Sequence, residues 1–272
     1  MKYNNPNRVD RMMTSKKLNG QVFLVTGGTQ GIGEAVAKTL VANGADGIII
    51  CGRSAVRGRQ VAADLQKSGC EALFVKTDLE IADECFALVE TCDKKFARLD
   101  GLVNAAGVTD RGTIFDTTPE NWDRIFAVNT RAPFLLIQGA AKIMKREGIG
   151  GAIVNIITMS SHGGQPKLVP YSASKGALAT LTKNVAFSLL HERIRVNGLN
   201  IGWANTPNEH AVQLEEGQPE NWLELAEAKQ PFGRLISTQD VANAVLFLIS
   251  ADSGVMTGSV VDFDQTIIGA YN

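Results

Sequence analysis

Tyr171 and Lys175 stand four residues apart in Tyr171-Ser172-Ala173-Ser174-Lys175, inside a stretch with helical patterning. On a helix that spacing puts both side chains on one face. An ammonium beside a phenol favours the phenolate, because opposite charge stabilises the charged form. A tyrosine activated in this way takes a proton from an alcohol, or gives one to a carbonyl, near neutral pH. Such a pair is common at helical spacing and usually means nothing, so its weight depends on what surrounds it.

A second signal lies upstream. The apolar run Gln21-Val22-Phe23-Leu24-Val25 leads into Thr26-Gly27-Gly28-Thr29-Gln30-Gly31-Ile32-Gly33, and Glu34 to Val41 then carries apolar residues at helical spacing. Strand, glycine turn and helix are the context a dinucleotide loop requires. Gly27 allows the tight turn, Gly31 lets backbone approach a pyrophosphate, and Gly33 lets the helix pack on the strand. The helix N-terminus then faces the anion. The pattern is T-G-x-x-x-G-x-G and not the commoner G-x-G-x-x-G, and an ordinary glycine-rich βα loop is the plainer alternative.

The elements that must position these residues alternate along the chain. Strand-like runs occur at about 21–26, 46–51, 72–76, 101–104, 152–157, 194–200 and 258–263, with helix-length segments between them. That alternation implies βαβ units and a parallel sheet. The runs are almost wholly apolar, as expected of strands covered on both faces. Thr118-Pro119 marks a helix start, as does Ser237 with Asp240. Residues 203–235 break the rhythm with the turn-formers Pro207-Asn208, Gly217-Gln218-Pro219 and Pro231-Phe232-Gly233, around a short helix predicted at 222–228. A long insertion near the carboxyl ends of strands suits a substrate lid.

Composition narrows the class. At 272 residues one domain is the natural count, preceded by a polar tail at 1–18 that reads as mobile and lacks the apolar stretch of a signal peptide. A formal net charge of -1 without a basic stripe argues against nucleic acid and anionic membrane as partners. No apolar run reaches transmembrane length. Cys51, Cys70, Cys85 and Cys92 form no C-x-x-C pair and read as small buried hydrophobes in a reducing, cytoplasmic setting. Neither they nor His162, His191 and His210 show metal-ligand spacing, so no metal is expected.

With these signals placed, the chain resembles the short-chain dehydrogenase/reductase family from about residue 18 to 268. Further motifs follow in the family's order: Asp78 with Leu79 in Thr77-Asp78-Leu79, the turn Asn104-Ala105-Ala106-Gly107, Asn129 in Phe126-Ala127-Val128-Asn129-Thr130, and Gly202 and Thr206 in Gly202-Trp203-Ala204-Asn205-Thr206. The resemblance implies an α/β fold: one doubly wound Rossmann-type domain at 19–272, a seven-stranded parallel sheet with helices on both faces. It implies cofactor contacts from Gly27, Thr29, Gln30, Gly31, Ile32, Arg53, Asp78, Leu79, Asn104, Ala105, Gly107, Tyr171, Lys175, Gly202 and Thr206. Two departures stand out. Ile201 replaces a proline, and the position of the catalytic serine is Thr158, with Ser160 and Ser161 just beyond as rival hydroxyls.

The implied reaction is hydride transfer between a nicotinamide cofactor and an alcohol/carbonyl pair. Tyr171 is then the general acid/base and Lys175 lowers its pKa and holds the ribose. Asn129 serves a proton relay or, more plainly, satisfies backbone at a helix irregularity, and Thr158 donates to the substrate oxygen. After Ile48-Ile49-Ile50-Cys51, NAD-preferring relatives place an acid; here Gly52 and Arg53 stand there, which favours NADP(H) over NAD(H). Arg57 and Arg59 either add positive potential or are solvated. Polar residues 162–167 and Asn208, Glu209 and His210 suit a sugar or polyol, or are merely solvated loop. A 3-oxoacyl reductase of fatty-acid type and a nucleotide-binding sensor without turnover are the alternatives. The resemblance also implies a homotetramer, paired through the helices at about 119–145 and 171–190.

Overall fold

Alternation along the strands sets the layers of this fold. In the computed structural model, which describes residues 16–269, strand β1 (Val22–Thr26) is buried along its whole length. Phe23 and Val25 belong to one apolar cluster, and Val22 and Leu24 to another. Successive side chains of a strand point to opposite faces, so the two clusters are the two faces of one sheet.

The chain then runs through α1 (Gly31–Ala42), β2 (Gly47–Gly52), α2 (Ala55–Lys67), β3 (Glu71–Lys76), α3 (Ala82–Phe96) and β4 (Gly101–Asn104). Helix α4 (Pro119–Phe126) passes through one π turn (Ala127–Arg131) into α5 (Ala132–Glu147), followed by β5 (Gly151–Thr158), a short 3-10 turn (Met159–His162) and α6 (Val169–Ser188). Next come β6 (Ile194–Ile201), β7 (Ala204–Asn205), α7 (Pro207–Glu215), α8 (Trp222–Glu227), β8 (Ile236–Ser237), α9 (Thr238–Ile249) and β9 (Val260–Phe263).

Seven strands form one parallel sheet in the order β3-β2-β1-β4-β5-β6-β9, the doubly wound α/β fold that the sequence implies. Strand order reverses between β1 and β4, and the crevice beyond the carboxyl ends at such a switch point is where α/β sheets bind ligands. Side chains of α1, α2 and α9 cover one face, through Leu40, Leu65 and Val245 among others. The other is covered mainly by α3 and α5, through Leu88 and Leu136. Leu24, Ile49 and Leu102 lie in that second layer at 0% exposure. Each such burial contributes about 1.5–3 kcal/mol.

Local signals work as the sequence predicts at two helix starts. Thr118 accepts from the Asn121 amide at 3.2 Å ahead of Pro119, and Ser237 and Asp240 form a reciprocal capping box. At the N-terminus, residues 16–18 join the folded chain: Leu18 is fully buried and Lys17 pairs with Asp252. The end of the tail expected at 1–18 is therefore docked, while 1–15 lie outside the described residues. Among the described residues no helix is long and apolar enough to cross a membrane.

Candidate active site

Glycines shape the first wall of a cleft of about 860 Å³ at the switch point. Gly27 has φ +66°, and a Cβ there would come within 2.9 Å of the Ala106 Cα. A Cβ on Gly33 would overlap the Gly27 carbonyl oxygen. The loop therefore folds tightly onto the start of α1, whose cap residue Gln30 is extended and offers no side chain to the first amides. These free N–H groups open on the cleft, where backbone donors and the helix dipole favour an anion. A dinucleotide's pyrophosphate fits this cradle on geometry and charge.

Thr29, Gln30, Gly31 and Ile32 line the cleft, and Arg53, Ser54, Arg57, Thr77, Asp78 and Leu79 line its far end. A Cβ on Gly52 would stand 2.9 Å from the Thr29 Cγ2, so any side chain there requires Thr29 to move. Arg59 is absent from the lining. Asp78 is tied into its own turn: its Oδ1 accepts from the Glu80 amide at 3.0 Å, and its amide donates to Glu84 Oε2 at 2.6 Å.

The candidate catalytic side chains converge from two elements. Thr158 ends β5, and Tyr171 and Lys175 share one face of α6; all three line the cleft with Ala105, Gly107, Gly202 and Thr206. Lys175 is 4% exposed, and its Nζ donates to the Ile156 carbonyl at 2.8 Å. Burial pulls its ammonium down from an ordinary 10.5 to about 8. Tyr171 behaves differently from the expectation of a depressed phenol. Burial pushes it up to about 12; the Glu209 carboxylate adds to the rise, and the Thr158 hydroxyl and the Arg111 guanidinium oppose it. The reason is that desolvation outweighs the neighbouring charges, while Lys175 is engaged with a backbone carbonyl.

Two residues named from the sequence stand behind the wall and not in it. Asn129 sits fully buried in the π turn. Its Oδ1 accepts from the Val108 amide at 2.9 Å, and its Nδ2 donates to the Val108 carbonyl at 2.9 Å and the Ser174 hydroxyl at 3.1 Å. It thus satisfies backbone at a helix irregularity. A Cβ on Gly107 would lie 3.3 Å from Asn129 Oδ1 and 3.4 Å from Lys175 Nζ, so both side chains lie against that turn. Asn104 is turned away from the cleft: its Nδ2 donates to Asn155 Oδ1 at 2.8 Å, and Asn155 donates on to Thr182 at 2.9 Å.

Ser160 also faces the cleft, 9% exposed, with its amide 3.2 Å and its hydroxyl 3.3 Å from Thr158 Oγ1. Ser161 lies outside the lining and donates to Asn200 Oδ1 at 3.3 Å. Thr158 is the hydroxyl whose influence reaches the phenol of Tyr171.

The roof is the insertion at 203–235. Thr206 caps α7 by accepting from the Glu209 amide at 3.1 Å, and its Cβ stands 3.8 Å from where a Cβ on Gly31 would be. Helix α8 matches the one predicted at 222–228, whereas α7 lies where the sequence suggests a turn at Pro207-Asn208; Pro207 sits at the first helical positions, where its missing N–H costs nothing. Arg111, on the loop after β4, pairs with Glu216 at 2.6 Å and joins that loop to the roof. Arg111 and Gln213 line the cleft without belonging to any motif, and Trp203, an unspecified position of the segment 202–206, lines it too; only their place in the folded wall identifies them. Among the described residues, no group of three or more His, Cys, Asp or Glu side chains is placed to hold a metal ion.

Residues 27–265 match a family model described as enoyl-(acyl carrier protein) reductase. The tetrahydroxynaphthalene reductase of Pyricularia oryzae is 34% identical over 261 residues, 92% of this chain and 90% of that protein. The 3alpha-hydroxysteroid dehydrogenase of Mediterraneibacter gnavus is 34% identical over 249 residues, covering 91% and 96% of the two chains. Among solved structures, a 3-oxoacyl (acyl-carrier-protein) reductase from Agrobacterium tumefaciens with NADP bound superposes with a TM-score of 0.85 at 26% identity, over 95% of this chain and 98% of that one.

Proposed function

Because the chain belongs to the short-chain dehydrogenase/reductase family and is an oxidoreductase acting on CH–OH, we propose that it interconverts a secondary alcohol and a ketone with NADP(H), on a hydroxyl-bearing ring or polyol. One observation carries this reading: the glycine cradle and the trio Thr158, Tyr171 and Lys175 face the same cleft.

The nicotinamide cofactor, when bound, supplies or accepts the hydride. The protein handles the proton and the oxygen. In reduction, Tyr171 gives its phenolic proton to the carbonyl oxygen as the hydride reaches carbon, which balances the alcohol formed. Thr158 donates to that oxygen while charge gathers on it, an interaction stronger in the transition state than before it. Lys175 holds positive charge beneath Tyr171 and offers its ammonium to the ribose. Asn129 fixes the π turn on α6 through Ser174. A phenol held near 12 is protonated at neutral pH, the form that can give a proton to a carbonyl oxygen.

Arg53 and Arg57 at the far end of the cleft, with no acid at Gly52, support NADP(H). The names of the naphthalene reductase and the steroid dehydrogenase both describe hydroxylated rings, and that supports a ring substrate here. The NADP-bound 3-oxoacyl reductase supports a second reading, an acyl-thioester substrate. Glu209 in the roof and Arg111 on the loop after β4, both lining the cleft, disfavour that apolar chain. Four free, buried cysteines support a reducing cytoplasm. Trp122, Phe134 and Phe187, at 38%, 42% and 78% exposure on α4, α5 and α6, support a homotetramer built on those helices.

The test is a spectrophotometric panel of ring ketones, open-chain polyols and a 3-oxoacyl thioester, each with NADPH and with NADH. Best turnover on a hydroxylated ketone with NADPH is the expected result. Turnover confined to the thioester would favour the second reading.

A further inference from the structure

Outside the reacting trio, Glu209 is a charged group of the cleft wall held by two side-chain hydrogen bonds. Its Oε1 accepts two hydrogen bonds, from the Trp203 indole at 2.8 Å and from Gln213 Nε2 at 2.7 Å, and Gln213 is itself 9% exposed. Among the described residues its second oxygen, Oε2, accepts none, and the side chain lines the cleft. A carboxylate carries about four acceptor sites, so a fixed Glu209 with one oxygen satisfied presents the other to whatever enters.

Its position relative to the chemistry is also defined. Glu209 is the carboxylate whose charge acts on Tyr171, with Arg111 as the opposing cation. Arg111 pairs directly with Glu216 at 2.6 Å and feels the Glu209 carboxylate only at longer range, so among the described residues no cation contacts Glu209 at the reacting end of the cleft. Beside it Trp203, 41% exposed, lines the cleft and stacks on Trp222 with ring centroids 6.0 Å apart and planes 25° from parallel. Trp222 is 3% exposed and donates to His210 at 3.0 Å, which anchors the indole pair in the roof.

We infer that Glu209 is a specificity-determining residue: through Oε2 it accepts a hydrogen bond from a second hydroxyl of a neutral substrate ring lying against Trp203, and it rejects anionic substrates. This rests on the ring-alcohol reading above. A flat apolar face meets an aromatic surface while a hydroxyl meets a carboxylate, and both contacts are available on one wall. A substrate carboxylate in the same place would face the like charge of Glu209, whose Oε1 is held by Trp203 and Gln213 and by no cation.

The test compares 2-hydroxycyclohexanone, cyclohexanone and 4-oxocyclohexanecarboxylate as substrates of the intact enzyme with NADPH. The wild type should use the hydroxyketone about 10- to 100-fold better in kcat/KM than cyclohexanone, the range of one hydrogen bond to a charged group. In Glu209→Ala that ratio should fall to near one, chiefly through KM. Glu209→Gln keeps an acceptor for Trp203 and Gln213 and replaces only the free oxygen. It should raise kcat/KM for 4-oxocyclohexanecarboxylate about tenfold relative to cyclohexanone, the scale of removing one like charge. If Glu209→Ala loses its fold by circular dichroism, the Glu209→Gln arm decides alone. Reduction of both neutral ketones with the hydroxyketone preference unchanged in Glu209→Ala, or no gain for the acid in Glu209→Gln, overturns this inference alone. Reduction of neither by the wild type overturns the ring-alcohol reading and this inference with it.

Discussion

Replacing Lys175 with methionine should stabilise the free protein while abolishing its activity. The side chain is 4% exposed and its pKa is drawn from 10.5 to about 8 by burial. A group whose folded pKa is depressed in this way binds its proton less tightly in the folded state than in the unfolded chain. Below about 8 both states hold the proton, and the folded state bears the full cost of burying the charge. That cost is about 3 kcal/mol, from roughly 2.5 pKa units at about 1.36 kcal/mol each. Methionine removes the charge but strands the Ile156 carbonyl, which Lys175 donates to at 2.8 Å, and that loss returns about 1 kcal/mol. A net gain of about 2 kcal/mol raises the melting temperature by about 4–8 °C in a chain of this size. The assay is thermal melting without nucleotide, from pH 7 to 10.5. Between about 8 and 10.5 the unfolded chain binds more protons than the folded one, so wild-type stability climbs with pH and the variant's advantage shrinks. A variant that melts at or below wild type at pH 7, or an advantage independent of pH, would refute the reasoning.

Three further outcomes are expected. Thr158→Val, which keeps shape and loses the hydroxyl, should cut kcat by about 10²–10³, and Ser160→Ala should stay near wild type; the reverse order in steady-state kinetics would transfer the role to Ser160. Arg53→Ala should lower kcat/KM for NADPH by about tenfold, one charge-assisted hydrogen bond, and leave NADH use unchanged; equal losses with both cofactors would remove Arg53 from the phosphate end. Gly33→Ala drives a methyl into the Gly27 carbonyl oxygen, so NADPH binding measured by fluorescence titration should weaken and stability fall by about 1–3 kcal/mol; unaltered binding would show that the cradle tolerates the methyl.

The sheet was legible because its signal is local and repeated. Strands such as Ile48-Ile49-Ile50 are apolar on both faces, and glycine turns separate them from helices of ordinary length. β7 and β8 were not legible, because two-residue strands carry no period. Helix α7 was hidden by Pro207 and Asn208, which initiate turns and helices alike; the cap from Thr206 decides between them. In the site, the glycine loop and the Tyr171–Lys175 pair could be read from spacing. Asn104 and Asn129 could be found by motif, yet their orientation could not, since it depends on Asn155 and Val108 across the fold. The phenol of Tyr171 went the other way from its sequence expectation because burial is a property of the whole wall. Arg111 and Gln213 reach the cleft by tertiary placement alone.

The two shortest strands have a consequence for how this chain can change. Ala204 lies in register with Ile236, and Asn205 with Ser237, so both ends of the roof are clamped side by side at the rim of the sheet. Between the clamps the segment has its own small apolar centre of Trp222, Ala226 and Leu235, separate from the two layers on the sheet. A loop whose ends are already fixed loses little when its contents are exchanged, since doubling its length costs only about 0.6 kcal/mol of closure entropy. The frame is therefore a socket and the roof a cartridge. Drift or engineering can rewrite what the cleft admits while the glycine loop, Thr158 and Tyr171, built on β1, β5 and α6, remain as they are.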